Sequence, residues 1–179
     1  MISKILIGLV LILAILAGVI ATRPADFSMS RSATMAATPA AIFENVNDFH
    51  KWDAWSPWAK LDPNSKVSFE GPTSGKGAIF KWSGNNEVGE GQQTIVESRP
   101  SELVGIKLDF IRPMAGTSNV EFTFKPEGAN TVVTWTMSGK NDFIGKAISL
   151  VMDCDKMVGP QFEKGLASLK AIVEGAPKA

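Results

Sequence analysis

The chain has one cysteine and one histidine in 179 residues, and its charges cancel, with 18 Lys plus Arg against 18 Asp plus Glu. A single cysteine, Cys154, excludes an internal disulfide, and together with the lone His50 it cannot assemble a His/Cys zinc site. A metal site would have to be built from carboxylates alone; none is expected, and no cofactor is implied. A balanced charge gives neither a nucleic-acid footprint nor a polybasic patch, so nucleic acid is not an expected partner. Cys154 lies between Asp153 and Asp155, whose charges oppose a thiolate. The expectation is a small packed cysteine and not a nucleophile.

Apolar residues make up 45% of the chain. That is enough for one domain with a real core, and the length is short for two. The apolar content is unevenly placed. Ile5 to Ala21 reads ILIGLVLILAILAGVIA, without charge or proline. A helix of about 20 such residues spans roughly 30 Å, the hydrocarbon thickness of a bilayer. Val19 and Ala21 would suit a signal cleavage site, but the run exceeds a signal core, which favours an uncleaved anchor. No cysteine follows it, so a lipoprotein signal is excluded. Lys4 and the amino terminus precede the span and Arg23 follows it, a slight excess that puts the N-terminus in the cytoplasm and the domain outside. The expected division is an anchor and linker over 1–25, a domain over 26–174 and a tail over 175–179.

Phe27, Met29, Arg31, Ala33 and Met35 alternate with Ser28, Ser30, Ser32 and Thr34, the period of a strand with one dry face. Thr38-Pro39 reads as an N-cap and first turn, with Ile42, Phe43 and Val46 as the stripe of a short helix. A second short helix starts near Asp48 and stops at Ser56-Pro57. Six further strand-like runs follow: Val67 to Glu70, Ala78 to Ser83, Gly91 to Ser98, Leu103 to Ile111, Asn119 to Lys125 and Val132 to Ser138. Short turns such as Gly84-Asn85-Asn86 make consecutive strands pair antiparallel. From Asn141 the period changes to three and four through Ile144, Ile148, Val151, Val158, Phe162, Leu166 and Leu169, one helical face interrupted at Gly159-Pro160. The predicted fold is α+β: about seven antiparallel strands curved around a long C-terminal helix, with two short helices after the first strand and a transmembrane helix in front. Space left between sheet and helix is a natural cavity.

Several constellations look chemical. GPTSGKG, Gly71 to Gly77, has the wrong spacing for a phosphate loop and no hydroxyl after Lys76, so it reads as an inter-strand loop. His50 with Ser56 and Asp53 lacks a nucleophile elbow, which leaves a partly exposed histidine. Asp153 and Asp155, two apart, diverge on a helix and read as capping or solvated groups. Asp109 and Glu121 alternate with bulky apolar residues; were their face to look inward, either could serve as a polar anchor or an acid. Aromatic and methionine side chains suit an adaptable apolar site. The candidate lining is Trp55, Trp58, Trp82, Phe110, Phe122, Trp135, Met137 and Met152. Three of the five tryptophans crowd into FHKWDAWSPW, Phe49 to Trp58. Phe49, Trp52 and one of Trp55 or Trp58 are expected to plug one end of the core, with the remaining indole at the cavity mouth.

Trp52-Asp53-Ala54-Trp55-Ser56-Pro57-Trp58, GKGAIFKWSGN (Gly75 to Asn85), IVESRPSE (Ile95 to Glu102), TVVTWTMSG (Thr131 to Gly139) and the helix running from Met152 to Lys170 together resemble the polyketide cyclase/dehydrase-like group of the SRPBCC, or START-like, helix-grip superfamily, and within it bacterial proteins with an N-terminal anchor. The resemblance implies a curved sheet gripping a helix around a hydrophobic cavity. It carries no catalytic residue. The function expected is therefore membrane-tethered binding of a hydrophobic small molecule, a lipid or polyketide-like compound. A cyclase, dehydratase or hydrolase using a cavity carboxylate, and an envelope interaction protein, are the alternatives.

Overall fold

The computed structural model describes residues 2–175; beyond Gly175 the expected tail lies outside them. An apolar helix α1 (Ile2–Thr22) leads into strand β1 (Asp26–Met35), helix α2 (Pro39–Val46) and a 3-10 helix (Phe49–Ala54). Strands β2 (Lys66–Glu70), β3 (Ile79–Ser83), β4 (Glu90–Arg99), β5 (Leu103–Arg112), β6 (Gly116–Glu127) and β7 (Asn130–Lys140) then precede helices α3 (Phe143–Ile148) and α4 (Cys154–Val173). The strands form one sheet in the order β1-β7-β6-β5-β4-β3-β2, antiparallel throughout. β2 to β7 is a meander, and β1 adds to its far edge.

The local chemistry places these elements. Thr38 caps α2 by accepting from Ala41 N–H, with Pro39 in the first turn, where a missing N–H costs nothing. Asp48 caps the 3-10 helix through His50 N–H. In β1, β5, β6 and β7 the alternate residues Met29, Val104, Ile106, Val120, Phe122, Val133 and Trp135 are buried, so these strands share one dry face. α4 lies over that face, with Phe162, Leu166 and Leu169 buried against it. Its C-terminal end is tied to the end of β1 by Ala36 N–H and Lys170, both bonding Glu174.

Two expectations need correction. The helical face from Asn141 onward is interrupted at Ser149 to Asp153 and not at Gly159-Pro160. Asp142 caps α3 through Gly145 N–H, and Asp153 starts α4 afresh by accepting from Asp155 and Lys156 N–H. Pro160 stays within α4, solvent-exposed, its ring tolerated one carbonyl short of a full ladder. Cys154, expected to be packed, is exposed at the first position of α4, in a turn whose residues Cys154 to Met157 all face solvent.

Candidate functional site

The concave face of the sheet divides into two halves. Toward the Met35 end it is filled by aromatic rings. Trp135 of β7 stacks on Phe162 of α4 with centroids 4.2 Å apart and planes 7° from parallel. Phe122 lies 4.7 Å from Trp135, and Trp55 meets both edge-on. Trp52 closes on Trp55 at 4.7 Å. Quadrupole geometry favours such offset and edge contacts over a face-to-face sandwich. α4 comes this close because residue 165 is glycine: a Cβ there would sit 2.8 Å from Trp135 Cζ3 and 3.0 Å from Pro57 Cδ. Trp52 and Trp55 donate their indole N–H to Val46 and Asn45 carbonyls, at 2.9 and 3.2 Å. Trp135 Nε1 is buried without a partner.

Toward the Asp26 end the face stays apolar but only partly covered. Phe27, Phe80, Trp82, Phe110 and Met137 are half-buried while packing on the core. Register puts Phe27, Gly139, Ser118, Leu108, Gln93 and Phe80 in one cross-strand row. Gly139 lets the Phe27 ring lie flat across β7, a Cβ there falling 2.8 Å from it. Gly91 does the same for Trp82, at 2.6 Å, and Trp82 is fixed by donating to Val88 O at 2.9 Å. In the middle of this row Gln93 Oε1 is buried and accepts nothing. An unpaired buried carbonyl costs about 1–3 kcal/mol unless a donor, from water or a ligand, meets it.

The expected site residues therefore fall into four groups. Trp55, Phe122 and Trp135 are core, all 2% exposed or less. Trp58 is half-buried, edge-on to Trp135 and Phe162, and is the least covered of the three clustered indoles. Trp82, Phe110 and Met137 share the half-covered end. Met152 stands apart, exposed in the connection from α3 to α4. Sequence reasoning missed Gln93, Phe27 and Phe80. The alternation of β4, with Gly91 and Ile95 inward, is the signal that places Gln93 inward too.

The carboxylates lie elsewhere. The polar face of β5 and β6 looks outward, so Asp109 and Glu121 do not reach the concave side, because Val104, Ile106, Leu108 and Phe122 occupy it. Burial pulls the Asp109 carboxyl upward, but hydrogen bonds from Thr117 at 2.7 Å and Lys107 at 3.0 Å outweigh it and hold the group below its ordinary range. His50 stacks on Phe69 with centroids 4.0 Å apart and bonds Asp48 at 2.9 Å. Arg31 is the charged member of the inward face of β1. It donates to both oxygens of Asp155 at 2.9 Å and to Glu163 at 2.8 Å, lying across α4 where Gly159 leaves room. These bonds raise the Arg31 pKa and lower that of Asp155. Among the described residues no group of three or more His, Cys, Asp or Glu is placed to hold a metal.

The surface also carries two open depressions. One, of about 480 Å³, runs between Ser56, Lys60 and Leu61 on one side and Gln161, Lys164 and Ser168 on the other. The second, of about 370 Å³, is lined by Lys66, Lys81, Trp82, Glu90 and Ile111.

A seven-stranded antiparallel sheet curved onto one long C-terminal helix is a helix-grip fold, the SRPBCC architecture. The family described as "Polyketide cyclase / dehydrase and lipid transport" matches residues 26–174, and the chain belongs to it. No curated protein matches the chain. Similar solved structures include a protein from Chromobacterium violaceum, 13% identical over 84% of this chain and 98% of that one with a TM-score of 0.60. The Aha1 dimer from Colwellia psychrerythraea is 15% identical over 85% and 99%, TM-score 0.61. One di-domain ARO/CYC protein, StfQ from the steffimycin biosynthetic pathway, is 11% identical over 84% of this chain and 51% of its own, TM-score 0.62. At these identities the likeness is one of fold.

Proposed function

We propose that this is a membrane-tethered binding module for a hydrophobic small molecule bearing one hydrogen-bond donor, taken up at the half-covered end of the concave face. The observation that carries the reading is Gln93 Oε1, buried without a donor between Leu108 and Phe80 of the neighbouring strands and two pairs along from Phe110. Apolar enclosure supplies affinity at about 25 cal/mol per Å² before binding costs, and the single carbonyl orients the ligand. A lipid or polyketide-like compound with a hydroxyl meets both requirements, and the family's description spans both classes. Residues 26–174 are the binding domain and 1–25 its anchor and linker. α1 has the length and composition to span a bilayer, though a signal sequence passes the same test. We assign it as an uncleaved anchor with the domain extracytoplasmic. A carboxylate-based enzyme reading loses Asp109 and Glu121, which face away.

The test compares full-length protein with Met137→Trp, which fills the half-covered end, and Gln93→Leu, which removes the acceptor. Native mass spectrometry after identical purification should find an apolar compound with a hydroxyl or N–H on the wild type and much less of it on both variants. Lipids that follow the anchor are common to all three and cancel. Identical adducts on all three chains would overturn the reading.

A further inference from the structure

Most of the large apolar side chains exposed outside α1 are gathered at one end. Ile111 and Met114 lie at the β5–β6 connection, Phe143 and Ile144 on α3, Val151 and Met152 between α3 and α4, with exposures from 43% to 84%. Met157 follows on the first turn of α4, while Leu61, Val67, Phe69 and Val96 are elsewhere.

These six positions share one end of the molecule. Asp26 pairs with Lys140, Gly139 with Ser118 and Gly116 with Phe110, so the start of β1, the end of β7 and the β5–β6 connection lie at one end of the sheet. α4 is oriented by Arg31 near its first turn and by Ala36 at its last, which points its N-terminus to that same end. α1 joins there too. Ile20 is the buried residue of α1, and Lys146 of α3 donates to Ala21 O at 3.4 Å. Between Thr22 and Asp26 stand three residues, a tether that reaches at most about 14 Å when fully extended. If α1 spans a bilayer, this end cannot leave the surface of it.

From the tether and the patch together we infer a docking surface for lipid: α3, the α3–α4 connection and the β5–β6 turn sit in the interfacial layer of the bilayer in which α1 is embedded. Contiguous exposed apolar surface on a soluble face is rare without a partner, and a short apolar segment lying in the interface buries it without spanning. The inference rests on α1 being an anchor. It also gives direction to the binding reading, because Phe27, Phe110 and Met137 belong to the end of the sheet that would face the lipid.

The protein carries its own probe. Cys154, its sole cysteine, is exposed beside Val151 and Met152. Full-length protein is reconstituted in phosphatidylcholine vesicles, labelled at Cys154 with an environment-sensitive fluorophore, and titrated with doxyl-labelled phosphatidylcholine. A Cys154→Ser, Ala129→Cys chain reports from the β6–β7 turn at the opposite end. The docked arrangement gives strong quenching at 154 and little at 129, and Ile144→Asp with Val151→Asp loses most of the quenching at 154 while the chain still floats with the vesicles. Equal quenching at the two sites, or no effect of the aspartates, overturns docking and leaves ligand binding to be judged by its own adducts. A chain that does not float overturns the anchor and the docking together.

Discussion

Gly165→Ala is the perturbation that best separates packing from propensity. In a helix interior alanine is worth about 1 kcal/mol over glycine, so propensity alone predicts a stabilised α4. The new Cβ, however, would lie 2.8 Å from Trp135 Cζ3 and 3.0 Å from Pro57 Cδ. Trp135 cannot step aside, since it is held by Phe162 at 4.2 Å, Phe122 at 4.7 Å and Trp55 at 5.8 Å. Overpacking of this kind costs about 1–3 kcal/mol, which exceeds the gain and leaves a net loss of about 1 kcal/mol. For a domain of this size that lowers Tm by about 2–4 °C. Gly159→Ala is the comparison: its new methyl meets the guanidinium of Arg31, the end of a flexible side chain, which would have to shift from Asp155 and Glu163 and weaken surface ion pairs worth about 0.2–1 kcal/mol each, against the same gain in propensity. The assay is thermal unfolding of the full chain in nanodiscs followed by near-ultraviolet circular dichroism of the tryptophan cluster. Gly159→Ala should stay close to the wild type while Gly165→Ala falls below it. A Gly165→Ala chain as stable as wild type would refute the claim that α4 is seated on Trp135 by the absence of a Cβ.

Gln93→Leu should hold or raise Tm, because it removes a buried carbonyl that has no donor at a cost of about 1–3 kcal/mol; a clear loss of stability would mean the oxygen is satisfied in solution. Glu90, Asp109, Asp155 and Glu174 all titrate below their ordinary range. A depressed folded pKa means stability that is present above the unfolded value near pH 4 and lost as pH falls through the folded one. Tm should therefore be flat from pH 7 to about pH 5 and decline below about pH 4; a decline already under way near pH 6 would contradict these assignments. Arg31→Met should return the Asp155 carboxyl upward toward its ordinary range in an NMR titration, and an unmoved Asp155 would show that the Arg31 pair is not formed.

Much of the architecture was legible because it rests on local periodicity. The alternation in β1, β5 and β6 gave the dry face, and Thr38-Pro39 and Asp48 gave both short helices, since caps are satisfied by near neighbours. The break in the C-terminal helical face was misplaced because Pro160 is conspicuous in sequence, whereas the side-chain caps of Asp142 and Asp153 decide the boundary only when the backbone turns between them. The site was less readable. Which face of a strand looks inward depends on which one α4 covers, so the outward direction of Asp109 and Glu121 could not be read from alternation alone. Gln93 escaped notice because one glutamine inside a strand carries no signal until its neighbours across the register are known to be Leu108 and Phe80.

The three tryptophans of FHKWDAWSPW show why the two halves of the concave face differ. Trp52 and Trp55 reach across from the 3-10 helix to Phe122 at 6.0 Å each, and their N–H groups are already spent on Val46 and Asn45. A ring whose donor is paired and whose faces are covered has nothing left to offer a ligand, so this motif acts as a plug. Trp82 also spends its N–H, on Val88, but its ring lies over Gly91 beside Phe110 and stays half-covered. The plug thus leaves the Asp26 end as the route into the interior under the binding reading. That is the end where α1 joins, and a ligand of membrane origin would reach Gln93 from there without first crossing water. Entry from the Met35 end would require Trp135, Phe162 and Leu169 to separate, and buried rings and aliphatic side chains of this kind each cost about 1.5–3 kcal/mol to return to solvent.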